Sequence, residues 1–248
     1  MKHYKSDFLV IGSGLAGMAF ALKAAPMGTV TILSKATVSM ANTSWAQGGI
    51  AAVISEEDSF ESHINDTLQA GAGLCDPNVV ENFIRQAPDR IRDLIQWGVH
   101  FDVKTDVKLE NTKASQSRTS AGLSSSFAHT SISDADKNSQ DLSRIDLTRE
   151  GGHSFRRVLH HEDTTGAEIH RALLEQIQSE KLKSKITIFE NHLTIDLILN
   201  KMSNPKDMNA SRCIGAYVLD NNTGEVHVFT AKQIVLATGG AGKVYLYT

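Results

Sequence analysis

The stretch Asp7–Gly17, DFLVIGSGLAG, constrains this chain more than any other. Phe8–Ile11 is a short apolar run, long enough for one buried strand. It leads into Gly12-Ser13-Gly14-Leu15-Ala16-Gly17, spaced G-x-G-x-x-G, and the small apolar residues Met18–Ala25 that follow are helix-compatible. Strand, glycine turn and helix start, in that order, form the context a dinucleotide fingerprint requires. Gly12 allows the tight turn, Gly14 lets a pyrophosphate approach the backbone, and Gly17 lets helix and strand pack closely. Free N–H groups and the positive end of the helix dipole would hold phosphates. A glycine-rich turn with no ligand is the plainer alternative, which the flanking elements disfavour.

Thr29–Leu33 (TVTIL) reads as a second strand, parallel to the first across one helix. A nicotinamide-binding unit usually ends this strand in an acid that takes the ribose hydroxyls. Ser34-Lys35 stands there instead, so a plain NAD dehydrogenase is disfavoured. Ala36–Gly49 is polar and small-residue rich, ending in Gly48-Gly49. Such a loop can press its backbone against a flat ligand, or be a surface turn.

Ser59–Ala70 has a helical face of Phe60, Ile64, Thr67 and Leu68. Asp76-Pro77 is an N-cap followed by a first-turn proline. Val79, Val80, Phe83, Ile84, Ala87, Ile91, Leu94 and Ile95 then recur at helical spacing as a core stripe, with Gly98 as the stop. Pro88 inside this pattern predicts a kink or break. The 104–143 segment, with ten serines between Ser115 and Ser143 and little apolar content, reads as a flexible insertion.

Asp146–His161 (DLTREGGHSFRRVLHH) is the most chemically loaded stretch. Phe155–Leu159 predicts a strand. Adjacent His160 and His161 would then face opposite sides and not share a metal. Gly151-Gly152 beside Glu150 and His153 could shape a pocket wall; spacing alone favours a solvated charged strand. Thr165-Gly166-Ala167-Glu168 has the capping-box pattern and predicts a helix over Ile169–Ser179. Ile186–Phe189, Leu193–Leu199, Cys213–Leu219, Val226–Phe229 and Ile234–Ala237 read as strands. Ser203–Arg212 is a polar turn, and Asn221–Gly224 carries a hairpin signal.

The bulk numbers exclude some classes. A formal net charge of −3 gives no whole-chain field for nucleic acid or a membrane surface. Two distant cysteines, Cys75 and Cys213, fit free thiols in a reducing compartment. No apolar run has signal or membrane-spanning length, so the expectation is a cytoplasmic protein with no nucleic-acid or membrane partner.

The early G-x-G-x-x-G and the late IVLATGG together resemble the FAD-binding domain of the succinate dehydrogenase/fumarate reductase flavoprotein family. Ser34-Lys35, Ala46–Ala52 (AQGGIAA), Asp66-Thr67-Leu68, Gly71-Ala72-Gly73, Thr148–Ser154 (TREGGHS) and Ala237–Ala241 (ATGGA) are similar to the L-aspartate oxidase branch. The resemblance covers nearly the whole chain except about 104–143. It implies an α/β, Rossmann-like FAD-binding domain with a parallel sheet plus a β-meander, truncated before the capping domain. It also implies FAD-dependent oxidation of L-aspartate to iminoaspartate, the first step of de novo NAD synthesis, with dioxygen or fumarate as acceptor and quinolinate synthase as a partner. Residues 1–248 would be the N-terminal part of the FAD-binding domain of a longer enzyme, inactive alone.

Carried onto this sequence, the resemblance places Gly12, Ser13, Gly14, Leu15, Ala16 and Gly17 at the pyrophosphate and Lys35 near the adenosine half. Asn42, Thr43, Ser44, Trp45, Ala46, Gln47, Gly48 and Gly49 would wrap the ribityl and isoalloxazine part. Glu150 would stand on the substrate side, with His153 near it. Succinate dehydrogenases of this family bond FAD covalently through a histidine where Asn42 stands, so noncovalent FAD is expected. Dicarboxylate-only relatives carry an uncharged residue where Glu150 stands. A carboxylate there repels a dianion and suits an ammonium group. The alternatives are a soluble fumarate reductase or succinate dehydrogenase flavoprotein, and a noncatalytic flavin-binding module.

Overall fold

The computed structural model describes residues 1–104, 141–201, 211–241 and 245–246. Residues 105–140 of the serine-rich segment, and most of the polar turn expected after Ser203, lie outside the described residues. The chain forms two compact units, residues 1–45 with 169–248, and residues 46–168.

The first unit is built on a six-stranded sheet. Its strands are β1 (His3–Ile11), β2 (Val30–Leu33), β6 (Ile186–Phe189), β7 (His192–Lys201), β8 (Ser211–Asp220) and β9 (Val226–Leu236). Their order is β6-β2-β1-β9-β8-β7. β6, β2, β1 and β9 run parallel, whereas β9, β8 and β7 form an antiparallel meander. Leu9, Val10, Ile11 and all four β2 residues are buried, as expected of strands covered on both faces. Leu9, Ile11, Leu33, Ala216, Val218 and Phe229 form one core cluster, which Tyr4 and Phe189 close by aromatic contacts. Helix α1 (Leu15–Ala24) buries Met18, Ala21 and Leu22.

The two strands expected at Val226–Phe229 and Ile234–Ala237 are a single strand. Between them, Thr230, Ala231 and Gln233 pair their backbones with β1, so ladder hydrogen bonds carry the strand through a stretch with little apolar pattern. Lys232 adds an ion pair to Asp7 at 2.7 Å. This bond and those from Thr29 hold the Asp7 carboxyl well below the ordinary range.

In the second unit, β3 (Ile50–Ala51), β5 (Val158–Leu159) and β4 (Leu147–Thr148) form a small antiparallel sheet in that order. Helix α2 (Phe60–Ala70) is capped by Ser59, whose Oγ accepts from Ser62 N–H. Its one buried residue is His63, not the expected apolar face. Helix α3 (Pro77–Gln96) starts at the Asp76 cap with Pro77 in its first turn. It runs unbroken through Pro88, contrary to the break expected there. Ile84 on one side and Ile91, Leu94 and Ile95 on the other are all buried, and that packing offsets the missing N–H. The N-terminal part of the expected core stripe is exposed, with Phe83 at 72%.

Helix α4 (Thr165–Gln178) begins earlier than the capping-box reading placed it. The Thr165 hydroxyl accepts from His161 N–H, and the Glu168 carboxylate accepts from the N–H of His100. Among the described residues no helix is long and apolar enough to cross a membrane. Both cysteines are free and half-buried.

Candidate functional site

The first unit holds a cavity of about 610 Å³ at the carboxyl ends of β1, β2 and β9. Ligands of open α/β sheets bind at such strand ends. Gly12–Ala16, Ser34, Lys35, Asn42 and Thr43 line it, joined by Thr37, Met40, His192–Thr194 and Leu236–Gly239.

Gly12 has φ +119°, and a Cβ there would run into the carbonyl of Ala237. The glycine is therefore demanded by the end of β9 as well as by the turn. Ser13 and Ser34 hydroxyls, both buried, bond at 2.8 Å and tie the fingerprint to the end of β2, where a nicotinamide-binding unit carries its ribose acid. The Leu15 N–H donates to Thr43 Oγ1 at 3.0 Å. Gly14 is the N-cap of α1 and offers no side-chain cap. A Cβ on Gly14 would meet only the Thr43 hydroxyl, at 3.4 Å, so the remaining space there belongs to the cavity.

Gly17 does not line the cavity. Its missing side chain lets α1 pack on the Gly12 carbonyl and on Val10. A helix start whose N-cap is a bare glycine facing open space, with the Lys35 cation at the rim, fits the phosphates of an extended dinucleotide such as FAD.

The loop Lys35–Met40 is pinned from two sides. Glu190 accepts from Val38 N–H at 2.6 Å, and the Asn221 amide donates to the Lys35 carbonyl at 3.2 Å. Sequence reading missed His192–Thr194. The one signal for them was the turn Glu190-Asn191 before a strand, with Asn191 at φ +57°.

The segment expected as one wrap, Asn42–Gly49, divides. Asn42 and Thr43 line the cavity of the first unit. Ser44 and Trp45 belong to that unit but do not line it. In the second unit, Gln47, Gly49 and Glu150 line a depression of about 370 Å³ with Asp102, Thr148, His160, Glu162 and Asp163. Ala46 and Gly48 line neither. A Cβ on Gly49 would run into the Leu159 carbonyl, so this glycine lets β3 approach β5.

Glu150 sits on the hairpin between β4 and β5. The His153 N–H donates to the Glu150 carbonyl at 3.2 Å, and Gly152 between them has φ +81°. This is the pattern of a type II turn, which requires positive φ at its third position.

The solvated-strand reading of this stretch holds only in part: Arg149, Glu150 and Arg156 are exposed, but on a loop and not on a strand. Of the strand expected at Phe155–Leu159 only Val158–Leu159 forms, and Arg157 is fully buried. Its guanidinium donates to both Asp58 oxygens at 2.8 Å, to Asp66 Oδ2 at 2.8 Å and to Ser62 Oγ at 3.1 Å. Asp66 also accepts from the Ser154 N–H and hydroxyl at 2.8 and 2.7 Å. Burial pushes the Asp66 carboxyl up, but these donors together hold it below the ordinary value. Removing one partner of so buried a pair costs about 3–5 kcal/mol.

The expectation that His160 and His161 face apart also fails. The strand ends at Leu159, and both Nδ1 atoms turn to Asp102, at 3.2 and 3.9 Å. Among the described residues no group of His, Cys, Asp or Glu could hold a metal.

His63, 6% exposed, lies beside this network, 5.6 Å from the His153 ring. Burial, with the Arg157 guanidinium, pushes its pKa from the ordinary 6.5 down to about 4. Between those values the unfolded chain binds a proton that the folded chain refuses, so stability rises with pH across the window. Acidification from pH 6.5 to 4 is therefore expected to cost on the order of 3 kcal/mol at this residue. Thermal melting against pH checks it: His63→Gln should flatten this part of the profile, and an unchanged slope would contradict it.

The FAD binding domain family matches residues 7–248. L-aspartate oxidase of Pseudomonas aeruginosa is 40% identical over 248 residues, covering 100% of this chain and 39% of the relative. L-aspartate oxidase of Vibrio cholerae is 39% identical over 247 residues, with the same coverages. The chain thus spans about two fifths of the length of these relatives. Among solved structures, a quinol-fumarate reductase with menaquinol molecules aligns at TM-score 0.74 and 26% identity, over 100% of this chain and 35% of that one. With the sheet, the fingerprint cavity and these likenesses together, the chain belongs to the FAD binding domain family of the succinate dehydrogenase/fumarate reductase flavoproteins.

Proposed function

We propose that this chain is the FAD-binding part of an L-aspartate oxidase, converting L-aspartate to iminoaspartate with dioxygen or fumarate as the final acceptor. The observation that carries the reading is the α1 start, whose N-cap Gly14 brings no side chain, opening into the strand-end cavity, in a chain about 40% identical to L-aspartate oxidases. The α1 N-terminus and Gly14 bind the pyrophosphate, Lys35 stands at the adenosine half, and Asn42 and Thr43 contact the cofactor further along. When bound, FAD supplies the redox chemistry, accepting the hydride that leaves the substrate carbon. The protein supplies position and charge. Glu150 receives the substrate's ammonium group and selects for an amino acid; the acidic lining around it (Asp102, Glu162, Asp163) favours a cation and disfavours a dianion. Asn42 has no imidazole with which to bond the flavin, so FAD is held noncovalently.

A soluble fumarate reductase is the second reading, favoured by the likeness to quinol-fumarate reductase; Glu150 argues against it. The full-length protein decides between them. It should purify yellow, bleach on anaerobic addition of aspartate, and release all its flavin to the supernatant on acid precipitation. Bleaching with succinate but not aspartate would favour the second reading. A yellow protein that neither substrate bleaches would leave only a binding module.

A further inference from the structure

We propose that Asp66 and the buried Arg157 are positioning residues for Glu150. They strap its hairpin at Ser154 and so hold the carboxylate where an ammonium group is recognised. This deepens the reading of Glu150 given above and rests on it.

The hairpin between β4 and β5 is fastened at two levels. At its base, the Arg157 N–H donates to the Thr148 carbonyl at 3.2 Å, and Thr148 pairs with Val158. These bonds fix where the hairpin starts; the His153 to Glu150 turn bond closes its tip but does not tie the tip to the rest of the unit, and Gly151-Gly152 has no side chain to pack. The second fastening lies further out. Asp66, on α2, takes both the backbone N–H and the hydroxyl of Ser154, one residue beyond His153. A two-point bond of this kind fixes the direction of the chain as well as its distance.

Asp66 can hold that geometry because it is itself held. Arg157 grips its Oδ2 with one arm while the other nitrogens are fixed by Asp58. Planar, bidentate pairing makes arginine suited to such a brace. The Phe155 ring lies 5.9 Å from the guanidinium carbon. The chain of support therefore runs from Asp58 through Arg157, Asp66 and Ser154 to the turn that carries Glu150.

The test uses the full-length protein with Asp66→Asn and Ser154→Ala, each alone and combined with Glu150→Gln. Asparagine keeps an acceptor for Ser154 but loses the charge that Arg157 grips; alanine removes one of the two bonds to Asp66. With Asp66→Asn, the KM for aspartate should rise about fivefold or more while kcat stays within about twofold, the mark of lost binding geometry. Ser154→Ala should act in the same direction with a smaller effect. The KM for fumarate in the reductive direction should change by less than about twofold. In the Glu150→Gln background, Asp66→Asn should add almost nothing, because the group it positions is gone.

Equal losses for aspartate and fumarate, or full additivity with Glu150→Gln, would overturn the proposal. Should Asp66→Asn fail to fold, Ser154→Ala, at an exposed residue, decides alone. If the unmodified protein does not oxidise aspartate, the functional reading falls and this one with it. If it does, and both variants leave the aspartate KM unchanged, only this one falls.

Discussion

Glu150→Gln in the full-length protein should lower kcat/KM for aspartate oxidation roughly ten- to a hundredfold while leaving fumarate reduction within about threefold. The magnitude follows from Coulomb's law. A carboxylate and an ammonium 4 Å apart attract by about 4 kcal/mol at an effective dielectric near 20, a ceiling near a thousandfold. Glu150 is exposed, so solvent screening lowers that ceiling. Glutamine keeps the size and one hydrogen-bonding oxygen but removes the charge, so the two substrates should separate. Fumarate carries no ammonium group and would even gain from the loss of a repelling charge. Steady-state kinetics in both directions checks this, and equal loss of both activities would remove Glu150 from substrate selection.

Gly12→Ala should be severely damaging for a single methyl, with loss of bound flavin and a fall in stability of about 2 kcal/mol or more. Two effects act together. The residue sits at φ +119°, where an alanine is strained, and its Cβ would be driven into the Ala237 backbone carbonyl. Backbone cannot rotate away as a side chain can, and Ala237 is itself bonded by its N–H to the Ile11 carbonyl at 2.8 Å. Gly14→Ala should behave differently. Its Cβ meets only a hydroxyl at 3.4 Å, so the fold should survive while flavin binding weakens as the methyl fills space the pyrophosphate needs. Melting temperature with the flavin absorbance per protein separates the two outcomes. A Gly12→Ala variant that stays yellow and melts normally would refute the account of the turn.

The parts of the fold legible in the sequence are those fixed by local chemistry. The strand, glycine turn and helix of residues 8–24, the Asp76-Pro77 helix start and the hairpin at Asn221–Gly224 each carry their signal within a few residues. What escaped was set by distant partners. Nothing near Thr230–Gln233 says that β1, more than 220 positions away, will pair with it. Pro88 looked like a break because the packing that overrides it comes from residues on either side of that turn. Arg157 looked solvated because the carboxylates that bury it, Asp58 and Asp66, lie 99 and 91 residues upstream. Of the candidate site, Gly12–Ala16, Lys35, Asn42 and Thr43 line one cavity, whereas His192–Thr194 join it from the start of β7 and carry no motif.

The long reach of β9 bears on how the molecule is made. Its register with β1 joins His3 to Val228 and Ile11 to Leu236, and its last residues build one wall of the cavity. A nascent chain leaving the ribosome therefore carries its fingerprint turn with only the β2 side in place until nearly all of these 248 residues have been translated. Closing a loop of that span is entropically costly and slow, so the β1 edge that β9 will cover stays open to chaperones, or to misassembly, until β9 has emerged.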